Sequence, residues 1–401
     1  MRDGAVLVVD GWGEDGSHLA GTIRAGEIEV RAAQRLPHSL GLFYEEATAH
    51  LGFQRASDEY TVRALASHGE PRPLDALRQL VRTDGAGGFV VQAIDWERLG
   101  PARRAGAPWS VAHADLAASV QARLEEVHVE LARWLRAVSG EEALTMAGGV
   151  ALNCVANARL AAESGFARVW VQPAEGDAGT ALGDRIAPLT SAALGRGFSD
   201  EEIEAALVSA RLEHERVRDV AESAADVLAN DDMVAWFQGR SEYGPRALGH
   251  CRLLAHPGRA GNLARLNAVK GREQFRPVAP MVLAERASEI FDRQLPSPSM
   301  LFTHRVRLHW RDREPAVIHV DGSARVQTVA GEDEPLLHAM LERFARRSEL
   351  PLVVNTSLNT AGRAMVDSPR DALERFGSTP IELLMIGPFA LRRTKSASRR
   401  L

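Results

Sequence analysis

The chain has 401 residues, of which 45% are hydrophobic and 25% charged, and its formal net charge is −5. This is the composition of a globular protein of two or three domains, and the acidic balance argues against a nucleic-acid or membrane-surface binder. Cys154 and Cys251 lie far apart and outside any CxxC pattern, which excludes a disulfide scaffold or a cysteine zinc site and suits the reducing cytoplasm.

No apolar run approaches the roughly 20 residues needed to span a bilayer, and no cationic segment with a long apolar core opens the chain, so no signal peptide is expected. Val6–Val9 reads as a buried strand that starts almost at once, with Asp10-Gly11 as its turn. A strand this close to the first residue suggests that an earlier element has been lost. Glu27–Ala32 reads as a second strand and Leu42–Leu51 as a helix. Gly85–Gly88 and Pro101–Pro108 read as loops.

The clearest helix follows. Leu116, Val120, Leu124, Val127, Leu131, Trp134 and Val138 recur every three or four residues, and Ser139-Gly140 closes the run. A strand over Ala143–Met146, a helix over Ala151–Ser164 and a strand over Arg168–Val171 complete an α/β unit. Leu189–Asp200 reads as a linker ending in a cap for the helix Glu201–Leu207. The second half is richer in Arg, with strands expected at Met233–Phe237, Val278–Leu283, Val317–Val320 and Leu352–Val354.

Several segments carry chemistry. Gly148-Gly149-Val150-Ala151-Leu152-Asn153 lies between a strand and a helix, where two glycines permit close approach and free N–H groups face an anion. Asn153 could reach a ribose or base. A plain strand-to-helix turn explains the glycines equally well. Asp177, in Pro173–Gly179, and Asp10, beside Gly11 and Gly13, suit a metal or a ligand hydroxyl, and either could simply be a helix cap. Arg246 sits in Gly239–Gly249, and Lys270, Arg272 and Arg276 fall within seven residues. Arg325 follows Asp321-Gly322, and Asn355-Thr356-Ser357-Leu358-Asn359 ends an apolar strand. Five cations beside strand ends, with hydroxyls and amides, suit a ligand bearing several phosphates.

Taken together, Leu7–Glu14, Pro37–Gly52, Ala147–Arg159, Gln172–Gly183, Ala235–Gly249, Leu266–Pro280, His319–Val329, Val353–Asn359 and Ile386–Phe389 resemble, in order, the carbamoyltransferases of nodulation-factor, cephalosporin and aminoglycoside modification. The resemblance implies an α/β protein: a partial actin-like ATPase-fold domain, of the threonylcarbamoyl-transfer type, over 1–195, and a YrdC-like domain over 196–401. It implies that ATP activates carbamoyl phosphate to carbamoyl-adenylate, and that the carbamoyl group passes to a hydroxyl of a small-molecule acceptor. Mg²⁺ is implied with ATP, and Fe²⁺ at the transfer site.

Residue by residue, the resemblance puts metal ligands on Asp10 and Asp177 and nucleotide contacts on Gly148, Gly149 and Asn153. Lys270, Arg272, Ser357 and Asn359 match the catalytic KxR and SxN elements, joined by Arg325. Arg246, Arg276, Asn355 and Thr356 fall in segments used around phosphates. The chain departs from the pattern in four places. No two of the 13 histidines stand four apart, so the family's HxxxH metal pair is missing. Glu59-Tyr60-Thr61 replaces EYK, His250-Cys251-Arg252 replaces Asn-Arg-Ser, and Gly362-Arg363 replaces Gly-Glu. The first domain therefore reads as N-terminally truncated, with room for a homodimer or an upstream-encoded partner that supplies the histidines. The alternative is a remnant or split-enzyme subunit that binds nucleotide or a partner chain. No nucleic-acid or membrane partner is expected.

Overall fold

A computed structural model of the chain describes residues 3–174, 176, 179, 191–292, 295–360 and 362–393. The chain divides into two compact units. One comprises Met1–Ile186 with Leu301–Thr303, and the other Ala187–Met300 with His304–Leu401.

The first unit is built on a five-stranded sheet. Strands β1 (Gly4–Gly13), β2 (Gly16–Arg24) and β3 (Glu27–Arg35) follow one another as antiparallel neighbours. A small hairpin, β4 (Val81–Thr83) with β5 (Phe89–Val91), stands apart. Then β6 (Ala143–Ala147) returns parallel to β1, and β7 (Arg168–Val171) parallel to β6, giving the order β3-β2-β1-β6-β7. A central strand packed on both faces must be apolar almost throughout, and Ala5, Leu7 and Val9 of β1 are buried.

The helix Val111–Ser139 covers this sheet. It starts on a capping box in which Ser110 and His113 satisfy each other's main chain, and it ends where Gly140 turns left-handed at φ 70°. Leu116, Val120, Leu124, Val127 and Leu131 form its buried stripe, whereas Val138 near the end is exposed.

Three expectations need correction. Asp10-Gly11 is not a turn, because β1 runs on to Gly13 with an irregular register after Val9. The helix expected from Ala151 begins at Cys154, after a 3₁₀ turn over Gly149–Leu152. Asn153 forces the break: its Oδ1 accepts from Ala156 N at 3.2 Å as the helix cap. Val317–Val320 is not a strand. Val317 is buried under a loop and Val320 is 67% exposed, and neither pairs with a neighbouring strand.

In the second unit the described residues form an eight-stranded mixed sheet. Its strands are β8 (Glu215–Arg216), β9 (Val234–Phe237), β10 (Cys251–Ala255), β11 (Ala279–Leu283), β14 (Gln327–Val329), β15 (Leu352–Ser357), β16 (Leu383–Ile386) and β17 (Phe389–Arg392). The order is β14-β11-β15-β10-β9-β16-β17-β8, and β12 (Thr303–Arg305) pairs separately with β13 (Ser323–Arg325). In the middle, β10 pairs antiparallel with β15 and β9, and every residue of β10 is buried. The helix Gly261–Lys270 ends against Gly271 in the left-handed region, φ 61°. That stop fixes Lys270 as the last helical residue, where a cation complements the helix dipole.

Candidate functional site

The best-defined polar site lies in the second unit, at the end of β15. Lys270, only 5% exposed, reaches it from its helix end. Its Nζ donates to the Ser357 main-chain oxygen at 2.6 Å, Ser357 Oγ at 3.1 Å, the Asn359 main-chain oxygen at 3.0 Å and Asn359 Oδ1 at 2.7 Å. Ser357 Oγ also donates to Asn359 Oδ1 at 2.6 Å, and Asn359 Nδ2 donates to the Arg363 main-chain oxygen. The ammonium therefore rests on neutral acceptors. Burial, then the guanidinium groups of Arg272, Arg276 and Arg375, hold its pKa well below the usual lysine range. Arg272 is itself fixed by Asn267 Oδ1 at 2.6 Å, and Arg276 pairs with Glu273 at 3.5 Å.

Thus Lys270, Ser357 and Asn359 meet directly, and Arg272 and Arg276 lie within electrostatic reach of the ammonium. Arg325 ends β13, and the hydrogen bonds and ion pairs described above do not connect it to Lys270. Thr356 sits opposite Leu253 and Asn355 opposite Leu254. Because residues alternate along a strand, Asn355 shares the face of Ser357 and Thr356 takes the other. Arg246 lies in the loop between β9 and β10.

Sequence reasoning missed Arg375. It stands on the helix Pro369–Gly377 and donates to Thr360 Oγ1 at 2.9 Å. Nothing in its local spacing marks it, since only the fold carries it to Lys270. It also missed Glu242. This carboxylate collects the main-chain N–H groups of Leu248, Gly249 and His250 on Oε1 and that of Cys251 on Oε2. The acidic residue inside a glycine-rich segment was the available signal, and it holds the loop rather than a ligand.

The first unit gathers Asp10, Gly148 and Gly149. Asp10 Oδ1 accepts from Gly11 N at 2.7 Å and Gly149 N at 3.2 Å, tying the end of β1 to the 3₁₀ turn. Gly148, at φ 90°, lies so close to β1 that a Cβ would come within 2.2 Å of the Val9 carbonyl oxygen. Asn153 is committed elsewhere: besides capping its helix, it exchanges hydrogen bonds with Gln121 at 2.9 and 3.1 Å. The structural reading of Asn153 explains its contacts fully.

Asp177 lies outside the described residues. Among those described, no group of three His, Cys, Asp or Glu side chains is placed to hold a metal. Beside Asp10 stands Glu45, its pKa raised mainly by burial and further by Asp10, and opposed by Arg55 at 3.8 Å. Among the described residues the donors at this place are thus two carboxylates, a set that suits a hard cation better than Fe²⁺. No helix among the described residues is long and apolar enough to cross a membrane.

Comparison with known proteins agrees with this organisation. The family model for the carbamoyltransferase N-terminus matches residues 1–186, and that for the carbamoyltransferase C-terminus matches residues 225–393. The nodulation protein NolO of Bradyrhizobium diazoefficiens is 38% identical over 97% of this chain and 75% of its own length. The 3'-hydroxymethylcephem-O-carbamoyltransferase of Streptomyces clavuligerus is 38% identical over 69% of this chain and 53% of its own. Among solved structures, P. abyssi Sua5 with L-threonine matches 42% of this chain and 46% of its own, at 16% identity and a TM-score of 0.28. With both family models in order along the chain, this protein belongs to the carbamoyltransferase family.

Proposed function

We propose that the second unit is a YrdC-like domain that forms carbamoyl-adenylate from ATP and carbamoyl phosphate. The observation that carries this reading is the like-charge cluster around Lys270. Four buried or half-buried cations gather where the ammonium meets only neutral acceptors. Such an arrangement is costly alone and is relieved by a polyanion. ATP with Mg²⁺ supplies one. Atom balance requires one water and two leaving groups: water cleaves carbamoyl phosphate to carbamate and phosphate, and the carbamate oxygen then bonds to the α-phosphorus of ATP and displaces pyrophosphate. Lys270, Arg272 and Arg276 would stabilise the charge that moves to pyrophosphate, and Arg325 and Arg246 would complete the phosphate contacts.

The first unit is read as an actin-like-fold domain that passes the carbamoyl group to a hydroxyl. Its support is the strand order, with three successive antiparallel strands followed by two parallel crossovers. The Streptomyces relative's name indicates a small-molecule hydroxyl acceptor for that protein, and the same class is proposed here. The test is carbamoyl-phosphate-dependent ATP–pyrophosphate exchange with parallel phosphate release. Exchange that proceeds equally without carbamoyl phosphate would reject the reading.

One observation favours a second reading of the transfer half. Among the described residues, the donor set around Asp10 does not fit the metal that the family resemblance implies. In that reading the chain makes carbamoyl-adenylate and a partner chain completes transfer.

A further inference from the structure

A second polar cluster lies on the face of the eight-stranded sheet that also carries Ser357. Arg252, on central β10, is fully buried. It sits opposite Ser357 on one side and Trp236 on the other. Its Nη1 donates to Gln327 Oε1 at 2.9 Å, while Nε and Nη2, both buried, have no hydrogen-bond partner among the described residues. Burial lowers its pKa to about 10, which still leaves it a cation at neutral pH. The carboxylate with the largest electrostatic effect on it, Glu242, makes no hydrogen bond to it among the described residues and accepts from four main-chain N–H groups instead.

The neighbouring amides can be oriented by elimination. The Leu248 carbonyl only accepts, so the Gln327 group 2.5 Å from it is Nε2. Gln327 Oε1 therefore faces Arg252. Asn355 reaches that same oxygen at 3.0 Å, so it presents Nδ2, which also donates to the Ala247 carbonyl at 3.4 Å. Asn355 Oδ1 is left buried without a donor among the described residues. The cluster thus has two unmet needs side by side. Arg252 lacks acceptors on the two nitrogens of one guanidinium edge, and Asn355 lacks a donor. A buried guanidinium with unmade bonds is expensive, and a fork of two N–H groups matches a planar pair of oxygens.

We propose that Arg252 and Asn355 recognise a carbamate-type anion, with the guanidinium edge on its two oxygens and Asn355 Oδ1 on its NH₂. This deepens, and rests on, the reading of the second unit as the carbamoyl-activating one. It makes Arg252 a specificity residue at the point where His250-Cys251-Arg252 departs from the Asn-Arg-Ser of the family pattern. Phosphate and acetate offer oxygens but no N–H and meet only half of the need. The Ala247 carbonyl accepts from Asn355 and the Leu248 carbonyl from Gln327, so binding at these buried groups entails movement of the loop between β9 and β10.

The test uses the full chain with carbamoyl phosphate and acetyl phosphate as rival probes in pyrophosphate exchange, with ATP affinity measured separately by calorimetry. The wild type should prefer carbamoyl phosphate by at least about tenfold, as a site built around a substrate N–H rejects the analogue without it. Arg252→Met should raise the KM for carbamoyl phosphate at least about tenfold with ATP affinity unchanged, and Asn355→Ala should erase the preference between the two probes. If Arg252→Met does not fold, Arg252→Lys serves, since it keeps the charge and loses the fork. Wild-type exchange with equal use of both probes overturns the inference while leaving the unit's proposed activity intact. So does an unchanged KM in a folded Arg252 variant, which would assign the unmet bonds to buried water. Absence of carbamoyl-phosphate-dependent exchange in the wild type overturns both.

Discussion

Lys270 Nζ and Asn359 Oδ1 lie 2.7 Å apart although 89 residues separate them in the chain. With Ser357, the two close the end of β15 against a helix terminus. Removing the cation should therefore act on nucleotide binding before it acts on folding. Lys270→Met is expected to weaken ATP binding by at least about tenfold, roughly 1.4 kcal/mol. Unchanged affinity by calorimetry would remove Lys270 from the site.

The same ammonium makes a signed pH prediction. Its folded pKa is lowered from 10.5, so the folded chain binds fewer protons than the unfolded one between the lowered value and 10.5. In that window stability from this group rises with pH. A bound polyanion favours the ammonium form and should draw a proton onto it. At alkaline pH, the heat of ATP binding should then differ between buffers of different ionisation enthalpy, and the difference should vanish in Lys270→Met. Equal heats in the wild type would contradict this.

Glu314 runs the opposite way. It is fully buried, neither carboxyl oxygen has a hydrogen-bond partner among the described residues, and burial pushes its pKa to about 8 from 4.5. The folded state holds a proton that the unfolded state has already released. Stability should fall as pH rises from 4.5 to about 8, at up to about 1.4 kcal/mol per unit. Glu314→Gln keeps the neutral form and should flatten that decline. Parallel melting curves for both proteins between pH 5 and pH 8 would count against it.

Glu242 offers a local test. Its four main-chain N–H contacts pin residues 248–251, and hydrogen bonds to a charged acceptor are worth roughly 1.5–3 kcal/mol. In Glu242→Ala those four amides should exchange with solvent markedly faster, while amides of the first unit keep their protection. Unaltered exchange at 248–251 would show that other contacts hold the loop.

For the first unit, purified protein is expected to carry iron well below one equivalent, because two carboxylates form a hard-donor pair. Elemental analysis decides this. Tight stoichiometric iron would mean that residues beyond Asp10 and Glu45 complete a site. Transfer to hydroxyl acceptors should correspondingly lag far behind adenylate formation.

Local pattern foretold the elements whose burial follows one rule. Arg168–Val171 was legible as a strand to the residue, and the Leu116–Val138 stripe as a helix, because alternation or 3.6-residue spacing records a single buried face. Val317–Val320 misled, since β-branched residues also fill loops when no neighbouring strand offers a ladder. Asp10-Gly11 misled because glycine usually ends a strand, whereas here the backbone of Gly41 packs directly on Gly11. Lys270, Ser357 and Asn359 were legible through family motifs alone, as spacing cannot reveal contacts across 87 and 89 residues. Arg375 and the Arg252–Gln327–Asn355 cluster needed the fold itself.

The sheet order sets a timetable for synthesis. Val234 of β9 pairs with Leu383 of β16, and 383 minus 234 is 149 residues. At typical translation speeds of about 5–20 residues per second, β9 waits roughly 7–30 s for that neighbour. The five-stranded sheet of the first unit, by contrast, is complete once Val171 has been made. The newborn second half therefore passes through a long interval with the apolar strand Val234–Phe237 half-paired. That interval is when a holding chaperone has most to grip, and when slowed translation costs this protein most in yield.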